Sequence, residues 1–198
     1  MNEKTLDLAR KTSDATDKTL LGFWIYLMTD CVLFASLFAT YIVLRSGTFG
    51  GPSGKELFDM PFVLVETVLL LTSSFVCGLA VLSARAGRVK SALVFLGLTI
   101  LLGLGFLGME LTEFTHLVRE GDDWQVSAFL SAFFTLVGTH GAHITAGILW
   151  ALVLGWQFIK RGATKTTTRQ IMLFSMFWHF LDIVWIFIFT IVYLMGVA

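Results

Sequence analysis

Five stretches of this 198-residue chain contain neither Lys nor Arg and are long enough to cross a lipid bilayer. A helix needs about 20 predominantly apolar residues to span the hydrocarbon core. In lipid, only a helix or a closed barrel pairs its own backbone groups. The stretches run from Gly22 to Leu44, Phe62 to Ala84, Ser91 to Val118, Val126 to Ile159 and Gln170 to Ala198. They predict an all-α, integral membrane bundle of five helices over residues 22–198, preceded by a polar tail over residues 1–21. Composition agrees, with 56% hydrophobic and only 14% charged residues, where a soluble domain carries about a quarter charged. Lys and Arg total 14, as do Asp and Glu, so no basic excess exists to neutralise phosphates and a nucleic-acid partner is disfavoured. Cys31 and Cys77 both lie in apolar runs, which leaves neither a disulfide framework nor a thiolate cluster to build.

The basic residues set the expected orientation. Eleven of the 14 fall on the side of the N-terminus: Lys4, Arg10, Lys11 and Lys18, then Arg85, Arg88 and Lys90, then Lys160, Arg161, Lys165 and Arg169. The other side has Arg45, Lys55 and Arg119, together with Glu120, Asp122 and Asp123. The positive-inside rule then gives a cytoplasmic N-terminus and a C-terminus on the opposite face. The first span is too long for a cleaved signal, so the tail is expected to be retained. Gly47, Gly50, Gly51, Pro52, Gly54 and Pro61 mark the connection after it as an exposed loop. No internal repeat is evident, and an odd span number argues against an inverted-repeat transporter. Glycines such as Gly97, Gly103, Gly105, Gly108, Gly138, Gly141 and Gly147 suit close helix approach in lipid.

Inside the spans lie five acids, Asp30, Glu66, Glu110, Glu113 and Asp182, and all four histidines, His116, His140, His143 and His179. A central acid costs roughly 2.5–3.5 kcal/mol on insertion scales, so each is expected to face protein, a partner or water. By rise per residue, Asp30 lies about 13 Å into its span and His179 about 14 Å into the fifth, with Asp182 a turn further on. Glu66, Glu110, Glu113 and His116 belong to a second, outer layer, which His140 and His143 approach from the fourth span. Glu110, Glu113 and His116 with His140 and His143 have the spacing of carboxylate and imidazole ligands in a di-metal helical bundle, though any helix stripe gives that spacing. His179 and Asp182 fit a proton relay or, more simply, a His–Asp hydrogen bond that joins two helices. Asp30 has no Lys or Arg in any span to pair with; a conducting and a packing role are equally open to it. No Ser–His–acid set, phosphate loop or broken span supports covalent catalysis.

Four segments resemble subunit III of the haem-copper respiratory oxidases: Phe23 to Phe34 (FWIYLMTDCVLF), Pro61 to Thr67 (PFVLVET), Gly138 to His143 (GTHGAH) and Trp178 to Trp185 (WHFLDIVW). The five-span form is similar to that of the bo-type ubiquinol oxidases. The resemblance implies a respiratory-chain subunit that carries no haem, copper or catalytic centre of its own. Haem and copper belong to partner subunit I, and ubiquinol is oxidised in a proton-pumping complex with subunits I, II and IV. It also implies bound membrane phospholipids and support of proton uptake. The family's intramembrane carboxylate falls on Asp30, here one methylene shorter than the usual Glu, and Glu113 matches a further carboxylate. With Glu66, these are the proton candidates. His140, His143, His179 and Asp182 are the candidates for lipid or subunit contact. Two other readings stand against this one: a free-standing enzyme with the di-metal site, and a small proton-coupled transporter using Asp30.

Overall fold

The computed structural model describes residues 3–48, 59–121 and 124–197, with side chains from Lys18 onward. Gly50, Gly51, Pro52, Gly54, Lys55, Asp122, Asp123 and Ala198 lie outside the described residues. All regular structure described is helical: α1 (Glu3–Leu44), α2 (Met60–Arg85), α3 (Val89–Glu120), α4 (Ala128–Arg161) and α5 (Lys165–Ile188). The last continues through a π-helical turn, Phe189–Leu194, into a final α turn, Met195–Val197. Five helices are long and apolar enough to cross a membrane.

Local chemistry explains where the helices start and stop. Pro61 stands in the first turn of α2, where a missing N–H costs nothing. Ser127 caps α4 by accepting the Leu130 amide at 3.1 Å. Thr164 and Thr167 form a reciprocal capping box on α5, with amide-to-hydroxyl distances of 2.8 and 3.2 Å. Gly121 ends α3 in the left-handed region at φ 91°, where a side chain would be strained. Two boundaries differ from expectation by more than two residues. The predicted tail is the start of one continuous helix with the first span, and α5 begins at Lys165 rather than Gln170. Basic residues end a bilayer-sized stretch but are good helix formers, so the helix runs past the apolar run.

The core lies among α2 to α5. The long helix α5 packs on α2, α4 and α1; α3 packs on α2 and α4; α1 touches chiefly α4. Two indoles of α5 hold it to α2: Trp178 donates to Ser73 at 3.0 Å and Trp185 to Thr67 at 3.1 Å. Gly103 of α3 and Gly147 of α4 make room for the Trp178 ring, which lies 3.0 and 2.8 Å from where a Cβ would stand on each. These two glycines serve a ring rather than a backbone approach. Gly22, Gly78, Gly97 and Gly108 have open space instead. At the end of the bundle away from the basic residues, Tyr41 of α1 donates to the Val192 carbonyl of the π-helical turn at 3.4 Å.

Candidate functional site

The buried polar groups fall into three sets, and α1 contributes to only one. Asp30 of α1 is buried, and its Oδ2 lies 3.8 Å from His143 Nε2 of α4. Asp30, which has no Lys or Arg in any span to pair with, thus faces an ionisable side chain on another helix. The search for Lys and Arg could not reveal it, because the partner is an imidazole four turns into another helix. His143 Nδ1 donates to the Thr139 carbonyl at 2.7 Å, which fixes the tautomer and leaves Nε2 toward the carboxylate. Tyr26, one turn before Asp30, is its second polar neighbour. Phe34 closes the site from the same helix, its ring 5.2 Å from that of His143. The pair can hold one exchangeable proton, on Nε2 or on the carboxylate.

The second set lies between α2 and α5. His179 Nδ1 shares a hydrogen bond of 2.5 Å with Ser74, and Asp182, a turn further along α5, also reaches Ser74. The bond that joins the helices is thus Ser–His rather than His–Asp. Ser74, in the run Thr72-Ser73-Ser74, is a residue that sequence reasoning missed, although three successive hydroxyls in an apolar span were a visible signal. Asp30 makes its polar contacts with Tyr26 and His143 rather than with His179 or Asp182.

The third set gathers Glu66 of α2 with Glu110 and Glu113 of α3, all within electrostatic reach of one another. Tyr193 of the π-helical turn donates to Glu113 Oε2 at 2.8 Å. Tyr193 was not singled out from the sequence, because nothing there announced that a wider turn would rotate it inward. His140 is fully enclosed, its ring stacked on Trp185 at 5.3 Å and edge-on to Phe106 at 5.9 Å. It has no surface to offer a lipid or another subunit. His116 lies outside the group, well exposed and paired with Glu120 at 3.4 Å.

The five residues of the di-metal reading therefore separate. Among the described residues, no group of three or more His, Cys, Asp and Glu side chains could hold a metal ion.

The segments that build these sets, and nearly the whole chain around them, match a known family. The profile for "Cytochrome c oxidase subunit III" covers residues 2–197. The chain belongs to that family. Among its relatives are the cytochrome bo(3) ubiquinol oxidase subunit 3 of Pseudomonas aeruginosa, 59% identical over 92% of this chain and 88% of that one. The quinol oxidase subunit 3 of Bacillus subtilis is 51% identical over 90% and 88%. The cytochrome c oxidase subunit 3 of Bacillus sp. strain PS3 is 50% identical over 90% and 86%. With five spanning helices and this subunit III membership, the chain is a multi-pass membrane protein.

Proposed function

We propose that this chain is the non-redox subunit III of a proton-pumping ubiquinol oxidase in a bacterial inner membrane. The observation that carries the reading is the 59% identity, over nearly full length on both sides, to a protein named as a bo(3) ubiquinol oxidase subunit. A relative named for cytochrome c is 50% identical, against 59% and 53% for two Pseudomonas bo(3) ubiquinol oxidase subunits, which favours quinol as the donor. Haem and copper sit in partner subunit I, and this chain docks beside it with subunits II and IV. The charge asymmetry of the loops supports a cytoplasmic N-terminus and a periplasmic C-terminus.

The chain's own part is to hold protons and lipids at the edge of the catalytic subunit. Asp30 with His143 is the proton-carrying pair nearest a free helix face, because α1 packs chiefly on α4 alone. Glu66 and Glu113 are further proton carriers. His143 and His179, both part-exposed, with Asp182 buried beside Ser74, contact phospholipid or a neighbouring subunit; His140 acts inside the chain.

Mild solubilisation of membranes carrying a tagged copy of this chain, followed by affinity capture, tests the reading. The eluate should contain haem-bearing partner chains and oxidise ubiquinol in preference to reduced cytochrome c. Capture without haem overturns the oxidase assignment, while preference for cytochrome c overturns the donor only.

A further inference from the structure

At the end of the bundle away from the basic residues, Glu66 is fully enclosed and neither carboxyl oxygen has a hydrogen-bond partner. It lies within reach of Glu110 and Glu113. Glu110 Oε2 is also buried without a partner. Its carboxyl occupies the space that a side chain at position 141 would fill, so Gly141 of α4 is the floor on which it rests. Glu113 completes the group and is tied by Tyr193 to the π-helical turn. A cleft of about 230 Å³, lined by Asp59, Phe62, Thr112, Glu113, His116 and Leu117, leads from Glu113 toward exposed His116.

The charges that face this group are few. Asp59 and His116 stand at the mouth of the cleft, and Arg119 and Glu120 are exposed at the end of α3. His140 on α4 is turned against Trp185. On α5, His179 and Asp182 meet α2 at Ser74, about 12 Å along that helix from Glu66. No Lys or Arg stands within the spans. Three carboxylates held together in a medium of low dielectric repel strongly. A proton shared between neighbours removes that repulsion and supplies the donor that the unpartnered oxygens lack. A metal ion does not replace it, since no described group of three such side chains could hold one.

We propose that Glu66, Glu110 and Glu113, completed by Tyr193, form one proton-holding site that exchanges with water at the far face through the cleft beside Glu113. The inference rests on the reading of Glu66 and Glu113 as proton carriers, and adds Glu110, Tyr193 and a direction of access. Its ligand is the proton, carried with water, and its access lies on the face opposite the basic loops.

Infrared difference spectroscopy of the purified whole complex, perfused with H₂O and then D₂O near neutral pH, reads this directly. The native complex should show protonated-carboxyl stretches that shift on deuteration. One should vanish in Glu66→Gln and another should shift in Tyr193→Phe, which removes the hydroxyl from Glu113. Glu110→Gln serves if Glu66→Gln fails to assemble. Thr112→Trp, which fills the cleft, should keep the bands and slow their exchange. Absence of any band dependent on Glu66 or Glu110 overturns the site, and exchange as fast in Thr112→Trp as in the native protein overturns the route. Haem content and quinol oxidation are measured on the same preparations. Their absence from the native protein defeats the oxidase reading, whereas their presence without the bands defeats only this site.

Discussion

Trp178 is the ring on which Gly103 of α3 and Gly147 of α4 close. Its ring lies 2.8 Å from the position of a Cβ on Gly147, with Phe177 3.2 Å away on another side, so an added methyl has nowhere to go. Gly147→Ala should destabilise the protein by about 1–3 kcal/mol through overpacking, read as a lower melting temperature in detergent. Gly97→Ala, where nothing lies within 4 Å, should leave it unchanged. Asp30 behaves differently. Its Oδ2 has no hydrogen-bond partner and His143 is 3.8 Å away, beyond hydrogen-bond length. Asp30→Asn should therefore change the melting temperature little while altering the pH profile of quinol oxidation by the complex; an unchanged profile with lost stability would assign Asp30 to packing. The individual acids and histidines were legible in the sequence because charge in an apolar span is conspicuous. Their partners were not. Tyr26, Ser74, Thr139 and Tyr193 are ordinary in a membrane helix, and only the rotation of one helix against another decides whether they meet an acid or lipid.

Helices report their limits through different signals at each end. The capping box of Thr164 and Thr167 sets the start of α5 five residues before its apolar run begins. Thr164→Ala should cost about 1 kcal/mol and speed amide hydrogen exchange at Thr167 and its neighbours, with α4 unaffected. Ser127 and Pro61 are equally readable starts, and the two-residue margins at α2 and α4 follow from them. The π-helical turn Phe189–Leu194 had no such signal. It depends on contacts from elsewhere, with Tyr41 of α1 bonding the Val192 carbonyl and Glu113 of α3 taking the Tyr193 hydroxyl. A turn of this kind inside a helix is often found at functional sites, and here it delivers Tyr193 to the carboxyl group. The number and type of elements were thus written in hydropathy, while their internal irregularity was written in tertiary contacts.

At the scale of the molecule, α1 is the element with the least cover: Trp24, Ile25, Met28, Val32, Ile42 and Val43 are all exposed along it. Lipid suffices for such a face, but Asp30 and Asp182 each retain a buried oxygen without a hydrogen-bond partner. The isolated chain should therefore unfold in detergent at lower denaturant or temperature than the same chain within its complex. Equal stability in both states would mean that no neighbour supplies those groups. Five spans and a family resemblance could be read from the sequence; the separation of three polar sets could not, because helix order in space is not helix order in the chain. The two indole bonds between α5 and α2 bear on time as well as on space. They join residues 105 and 118 positions apart, with two other helices made in between. Synthesis proceeds from the N-terminus, so α2, α3 and α4 enter the membrane before the indoles exist. The first four helices therefore stand beside one another with Ser73 and Thr67 already donating to the carbonyls of Thr99 and Val63, but with no indole yet to accept from. The register of α5 on α2 is therefore set after both have entered, and a chain that stops short of Trp178 lacks both indole bonds.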